Sequence, residues 1–218
     1  MSKNLPLSVV VIEVGPLVAN AYLVGHPTSG RAVVVDPGEE GKKIHRLLGE
    51  KGWVLEKILL THGHFDHVGG VRFLKEQTGA AVYIHEADAT MMRNASLQGA
   101  MFGLRVPEPP RPDVFLKEGD IVSLADQEFR VLHTPGHSQG HVTFLVGGMA
   151  FVGDLIFAGS IGRTDLPGGS HDVLLRSVRE KIFTLAPETT IFSGHGPATT
   201  VGEEIRSNPF FVGGGLRQ

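Results

Sequence analysis

Hydrophobic and polar positions follow two rhythms along the chain. The runs "LSVVVIEV", "NAYLVG" and "RAVVVDPG" are rich in β-branched residues and separated by turn residues. They predict three strands, the last two joined as a hairpin through "HPTSG". The period then lengthens. In "EEGKKIHRLLGEKG", Ile44, Leu47 and Leu48 fall at i, i+3 and i+4, the apolar face of a helix that stops near Gly49 or Gly52. "VLEKILLT" reads as a buried strand, Val68, Val71 and Leu74 as a helix reaching about Gly79, "AAVYIH" as a strand and "EADATMMRN" as a short helix. Prolines at 107, 109, 110 and 112 predict an irregular loop or lid from Ala95 to Pro112. Farther on, "FLKEGDIVSL", "QEFRVLHT", "HVTFLVGG", "MAFVGD" and "TTIFSGHG" read as strands. "SHDVLLRSVREKIFTL" is a helix with Ser170 as N-cap and Asp172 in its first turn, and "VGEEIRSN" closes the pattern as a helix. Strands, helices, strands and helices in that order favour a layered α/β sandwich over a doubly wound sheet.

Composition narrows the function classes. At 218 residues the chain is long enough for one domain with a sizeable core. A formal net charge of −3 and the lack of any Lys/Arg run argue against a nucleic-acid partner. There are 0 cysteines, so disulfides and thiolate metal sites are excluded and any metal must bind through nitrogen and oxygen. The opening "MSKNLPLSVVVIEVG" has a short apolar run broken by Glu13, a strand and not a signal peptide. No apolar stretch approaches the ~20 residues that span a bilayer. The expected location is the cytoplasm, with no membrane association.

The candidate chemistry sits at strand ends. "LLTHGHFDHVGG" packs His62, His64 and His67 together with Asp66 just beyond a buried strand. Two apart in an extended segment, His62 and His64 point to one side. His137 in "HTPGHSQGH", Asp154 in "FVGDLIF" and His195 in "FSGHGP" each follow an apolar run and are flanked by glycine. Loops on rigid strand ends can aim side chains at one point, so the joint pattern favours a metal site over scattered surface histidines.

These motifs resemble the metallo-β-lactamase superfamily. "THGHFDH" matches its HxHxDH signature, and "TPGHSQGH", "GDLIF" and "SGHGP" resemble its later motifs in order; "GSIGRTDLPGG" and the closing "NPF" are similar to the short hydroxyacylglutathione hydrolases, a glyoxalase II-like group. The resemblance implies a four-layer αβ/βα sandwich, residues 1–218 forming a single catalytic domain, with the site along one edge of the two sheets. It implies two divalent ions per chain, zinc or else iron or manganese. The first would be held by His62, His64 and His137, the second by Asp66, His67 and His195, with Asp154 bridging. The activity implied is hydrolysis of a small-molecule glutathione thioester by a hydroxide held between the ions, Asp66 orienting it and moving a proton. Two alternatives stay open. A mononuclear-iron glutathione persulfide dioxygenase would use His62, His137 and Asp154, and a lactonase or other ester hydrolase would use the same cradle.

Other polar residues have plainer expectations. Arg163 in "GRTD" either anchors a substrate carboxylate or pairs with an acid such as Asp165. Asp36 in "VVVDPG" fixes a turn or a neighbour of the site. His133 and His141 are structural or support the ligands, Asn20 and Tyr22 either reach substrate or pack, and His26, His45 and His171 are expected in solvent.

Overall fold

A computed structural model describes residues 7–212; the first six residues of the opening segment and the two extreme ends of the expected 1–218 domain lie outside them. The first half forms a six-stranded sheet from β1 (Ser8–Val14), β2 (Ala19–Gly25), β3 (Arg31–Val35), β4 (Val54–Leu59), β5 (Ala81–His85) and β6 (Val114–Leu116), in that spatial order. β1–β2 and β2–β3 pair antiparallel, and the rest of this sheet is parallel. The second sheet runs β14 (Thr199–Thr200), β13 (Thr190–Ser193), β10 (Met149–Gly153), β9 (Val142–Val146), β8 (Gln127–His133) and β7 (Ile121–Leu124). A small hairpin, β11 (Ile156–Phe157) and β12 (Ser160–Ile161), stands apart.

Strand periodicity builds the layers. Along β2 and β3, Ala21, Leu23, Ala32 and Val34 face one core, with Ile44 and Leu48 of helix α1 (Gly41–Lys51). Their neighbours Tyr22, Val24, Val33 and Val35 face another, with Phe129, Val131, Phe144 and Phe151 of the second sheet. Strands apolar on both faces must be covered on both faces. The second sheet repeats the device: Phe151 joins the inter-sheet core, while Ala150 and Val152 pack against Leu174 of helix α6 (His171–Ser177) and Val201 of helix α7 (Val201–Ser207). Helices, sheet, sheet and helices give the four-layer αβ/βα sandwich expected from the sequence.

Three local expectations are corrected. The segment after Ala95 is not loop throughout: α4 (Ala89–Arg93) is followed by helix α5 (Ala95–Met101), and only the proline-bearing part is irregular. The prolines lie beyond Phe102 and so constrain nothing before it. "FLKEGDIVSL" is two strands in two sheets, β6 and β7, because Gly119 at φ 82 turns the chain and Asp120 accepts a hydrogen bond from Lys117 N (3.0 Å). The helix near Val68 begins earlier and breaks at Gly69–Gly70, giving α2 (Phe65–Val68) and α3 (Val71–Thr78).

Candidate metal centre

The loops leaving β3, β4, β8, β10 and β13 open on one edge of the sandwich, and each carries a polar residue into one cluster. Donor atoms of His62, His64 and His137 lie within 4.8 Å of one another, and so do those of Asp66, His67 and His195. His64 Nδ1 faces His137 Nε2 at 2.8 Å. In the second trio His67 Nε2 stands 3.5 Å from Asp66 Oδ2, and His195 Nε2 stands 3.3 Å from the same oxygen. Asp154 lies between the trios, with Oδ1 3.4 Å from His67 Nε2 and Oδ2 3.7 Å from both His137 Nε2 and His195 Nε2. All seven candidates named from the sequence are thus brought together.

The rings are oriented from behind. Asp36, at the left-handed φ of 48° where β3 ends, accepts hydrogen bonds from Thr61 N (2.8 Å) and Thr61 Oγ1 (2.6 Å). Thr61 Oγ1 lies 2.9 Å from His62 Nδ1, and Asp36 Oδ2 lies 3.3 Å from His67 Nδ1, so both rings keep Nε2 for the cluster. Asp36, His62 and His67 are also close enough to form a trio. With both Asp36 oxygens taken by Thr61, the carboxylate is better placed to orient rings than to ligate. His137 Nδ1 is 2.8 Å from Arg163 O and His195 Nδ1 is 3.1 Å from Leu17 O, which directs their Nε2 atoms inwards in the same way.

Electrostatics show a cluster short of positive charge. Burial holds His62 well below the usual imidazole value, helped by the neighbouring histidines, and it brings His64 down to about 4. Burial would lower His67 too, but the Asp66 and Asp154 carboxylates outweigh it and pull that ring well above its usual value. For Asp66 and Asp154 burial is likewise overcome, chiefly by His67, and both sit below the ordinary carboxylate range. His62 Nε2, His67 Nε2 and Asp154 Oδ1 are buried with no hydrogen-bond partner among the described residues. Such atoms are costly unless something else engages them. Unpartnered imidazole nitrogens around two ionised carboxylates, with no thiolate, fit two divalent cations of the zinc, iron or manganese kind.

Further supports surround the cluster, and Asp88 among them escaped the sequence reading. Asp88, fully buried, accepts hydrogen bonds from Gly63 N (3.1 Å), Ser138 Oγ (2.6 Å) and Gly140 N (2.6 Å), tying the His62–His64 loop to the His137 loop. An aspartate just past a strand looks like a helix cap, and partners so distant in sequence give no local signal. His141 is buried, its ring stacked on His62 (centroids 5.4 Å apart), and supports the cluster from below. Asn20 Nδ2 donates to Ser193 O (3.0 Å) and Gly196 O (2.8 Å), and Tyr22 Oη donates to Ser193 O; these residues clamp the His195 loop to the first sheet. His26, expected in solvent, is buried with Nε2 2.7 Å from Asp126 Oδ1; the turn that carries it folds back on the second sheet. His133 stacks on His85 (4.4 Å) away from the cluster. Arg163 is held by Asp165 through two contacts of 2.8 Å, the internal ion pair that was one of its two expected roles. That pair brings Asp165 down to about 2.

A cavity of about 810 Å³ opens over the cluster, with His64, Asp66, His137, Asp154 and His195 at its floor. The sequence profile of the Metallo-beta-lactamase superfamily matches residues 14–195. The chain therefore belongs to the metallo-β-lactamase superfamily, in its class of metallo-hydrolases. Among relatives, the hydroxyacylglutathione hydrolase GloC of Haemophilus influenzae is 40% identical over 183 residues, 82% of this chain and 86% of that one. Among solved structures, the BLEG-1 B3 metallo-beta-lactamase superposes with a TM-score of 0.89 at 36% identity, covering 94% of this chain and 100% of that one. TTHA1623 in a di-iron-bound form superposes with a TM-score of 0.85 at 45% identity, covering 92% and 99%.

Proposed function

We propose that this chain is a two-metal thioester hydrolase of the hydroxyacylglutathione hydrolase type, working in the cytoplasm on a small molecule and not on nucleic acid. The observation that carries the reading is the convergence of two donor trios with Asp154 between them at the floor of one cavity. The glutathione hydrolase named among the relatives and the di-iron form named among the solved structures support it.

In this reading His62, His64 and His137 would hold one ion and Asp66, His67 and His195 the other, with Asp154 available between the two trios. Bound there, such ions would supply Lewis acidity for a water and for the negative charge that develops on the carbonyl oxygen. The chain's own groups do the rest. Asp66 reaches the cavity floor, where it can orient the attacking water and receive its proton. The water oxygen bonds to the carbonyl carbon, the C–S bond breaks with its electron pair leaving on sulfur, and the proton returns to the thiolate. A thiolate leaves readily, so a thioester needs no acid stronger than the proton Asp66 returns, whereas an amide would.

The test is turnover of S-lactoylglutathione by metal-loaded protein, with and without oxygen, before and after a chelator. Oxygen-independent hydrolysis that the chelator abolishes is expected. Oxygen uptake with glutathione persulfide and no thioester cleavage would replace this reading with the dioxygenase one, and cleavage only of lactones with the ester-hydrolase one.

A further inference from the structure

The cavity wall differs from what a glutathione tripeptide asks for. Glutathione carries two carboxylates, which call for cations or converging N–H donors. Among the described residues Arg163 is the one Lys or Arg that lines the cavity, and Asp165 already occupies its guanidinium fork. The wall is mixed: Met91 and Met101 from α4 and α5, Phe102 at the end of α5, and Phe157, Ile161 and Leu166 opposite are apolar, while Thr90, Asn94 and Gln98 on or between the same two helices are polar, Gln98 Nε2 already donating to Met91 O (3.1 Å). Among the lining residues, Met101 is 80% exposed, Phe102 56% and Leu17 42%. Exposed apolar side chains gathered at a cavity rim mark a binding surface, and methionines suit chains of varying shape.

Resting on the thioesterase reading, we propose that selectivity lies in an apolar acyl half of the substrate, a medium-length chain or ring laid against Met91, Met101 and Phe102, while the thiol half is weakly read. The ligand cluster fixes the carbonyl, and the apolar track begins beside it at Phe65, whose ring lies 5.2 Å from that of Phe102. A lactoyl group is too small and too polar to use this track.

The experiment crosses two series on the metal-loaded protein: lactoyl, butanoyl, hexanoyl and octanoyl thioesters, each made with glutathione and with the uncharged thiol N-acetylcysteamine. We expect kcat/KM to rise about two- to fourfold per added methylene until the cavity is filled, full burial giving the upper figure. Exchange of the thiol should change it less than the chain series does. Met101→Asp, at an exposed position, should flatten the rise. Calorimetry with uncleavable thioethers gives a readout independent of turnover: S-octylglutathione should bind at least about tenfold more tightly than S-methylglutathione, with a negative heat-capacity change. Lactoyl turnover with no gain along the chain series, or a larger loss on exchanging the thiol, would overturn the inference while leaving the thioesterase reading intact. Tighter thioether binding with no hydrolysis of any thioester would do the reverse.

Discussion

Asp88 fastens the two loops that carry His62, His64 and His137 by accepting three hydrogen bonds, so its removal should be felt at the metals and not only in folding. Asp88→Ala is expected to weaken metal binding by about 10–100-fold, the range for residues that orient ligands. Competition with a chelating dye measures it, and Asp88→Asn should lose less because it keeps an acceptor. Gly194 makes a second case. A Cβ there would overlap Asp154 Oδ1 and stand 2.8 Å from His67 Cε1, so Gly194→Ala must displace the residue between the trios. Activity should fall by about a hundredfold, the usual cost of an ångström-scale misplacement. At Gly49, inside α1 with nothing within 4 Å of an added Cβ, the same substitution should instead raise stability by up to ~1 kcal/mol, read by thermal unfolding. The seven candidate ligands were legible because they are metal-type side chains, four gathered in the short stretch from His62 to His67 and three set beside glycine after an apolar run. Asp88 and Thr61 were not, because an acid after a strand and a threonine after another are common and their partners come from the fold.

At the scale of elements, the site depends on strand ends being held in register with the helices behind them. Glu118, between β6 and β7, accepts from Lys181 Nζ (2.7 Å) in the π-helical turn Val178–Ile182 and from His133 N (2.6 Å) at the end of β8. Burial works against its ionised form, but these donors win and hold its carboxyl below the usual glutamate range. A depressed carboxylate adds stability above the unfolded-state value, and that stability is lost as pH falls through the folded-state value. Glu118→Gln should therefore lower stability near neutrality and flatten its decline below about pH 4.5, in denaturant unfolding followed across pH. Strands and long helices were readable because their periods of 2 and 3.6 repeat over several residues. Helix α5 was hidden in "ASLQGAM", which has a glycine inside and a proline-rich stretch behind it. β6 and β7 read as one because both are short and the turn between them rests on Gly119.

The whole molecule is a four-layer sandwich whose central strands are apolar on both faces, and this lets five strand ends from distant parts of the chain meet at one edge. The layering was legible from the order of strands and helices and from the family motifs, and strands that alternate between two cores, as Leu23 and Val24 do, are how the fold realises it. The cavity's apolar part was not legible, because Met91, Met101 and Phe157 lie on three separate segments. No helix among the described residues is long and apolar enough to cross a membrane. The account rests on geometry: two donor trios with Asp154 between them, and buried imidazole nitrogens without hydrogen-bond partners among the described residues, all in one cluster. The direct test is to titrate zinc or ferrous iron into chelator-stripped protein at neutral pH and count the ions bound. Two ions per chain, with one lost in His195→Ala, is the predicted result. A protein that binds no ion, or whose stoichiometry is unchanged when His195 is removed, would contradict the account.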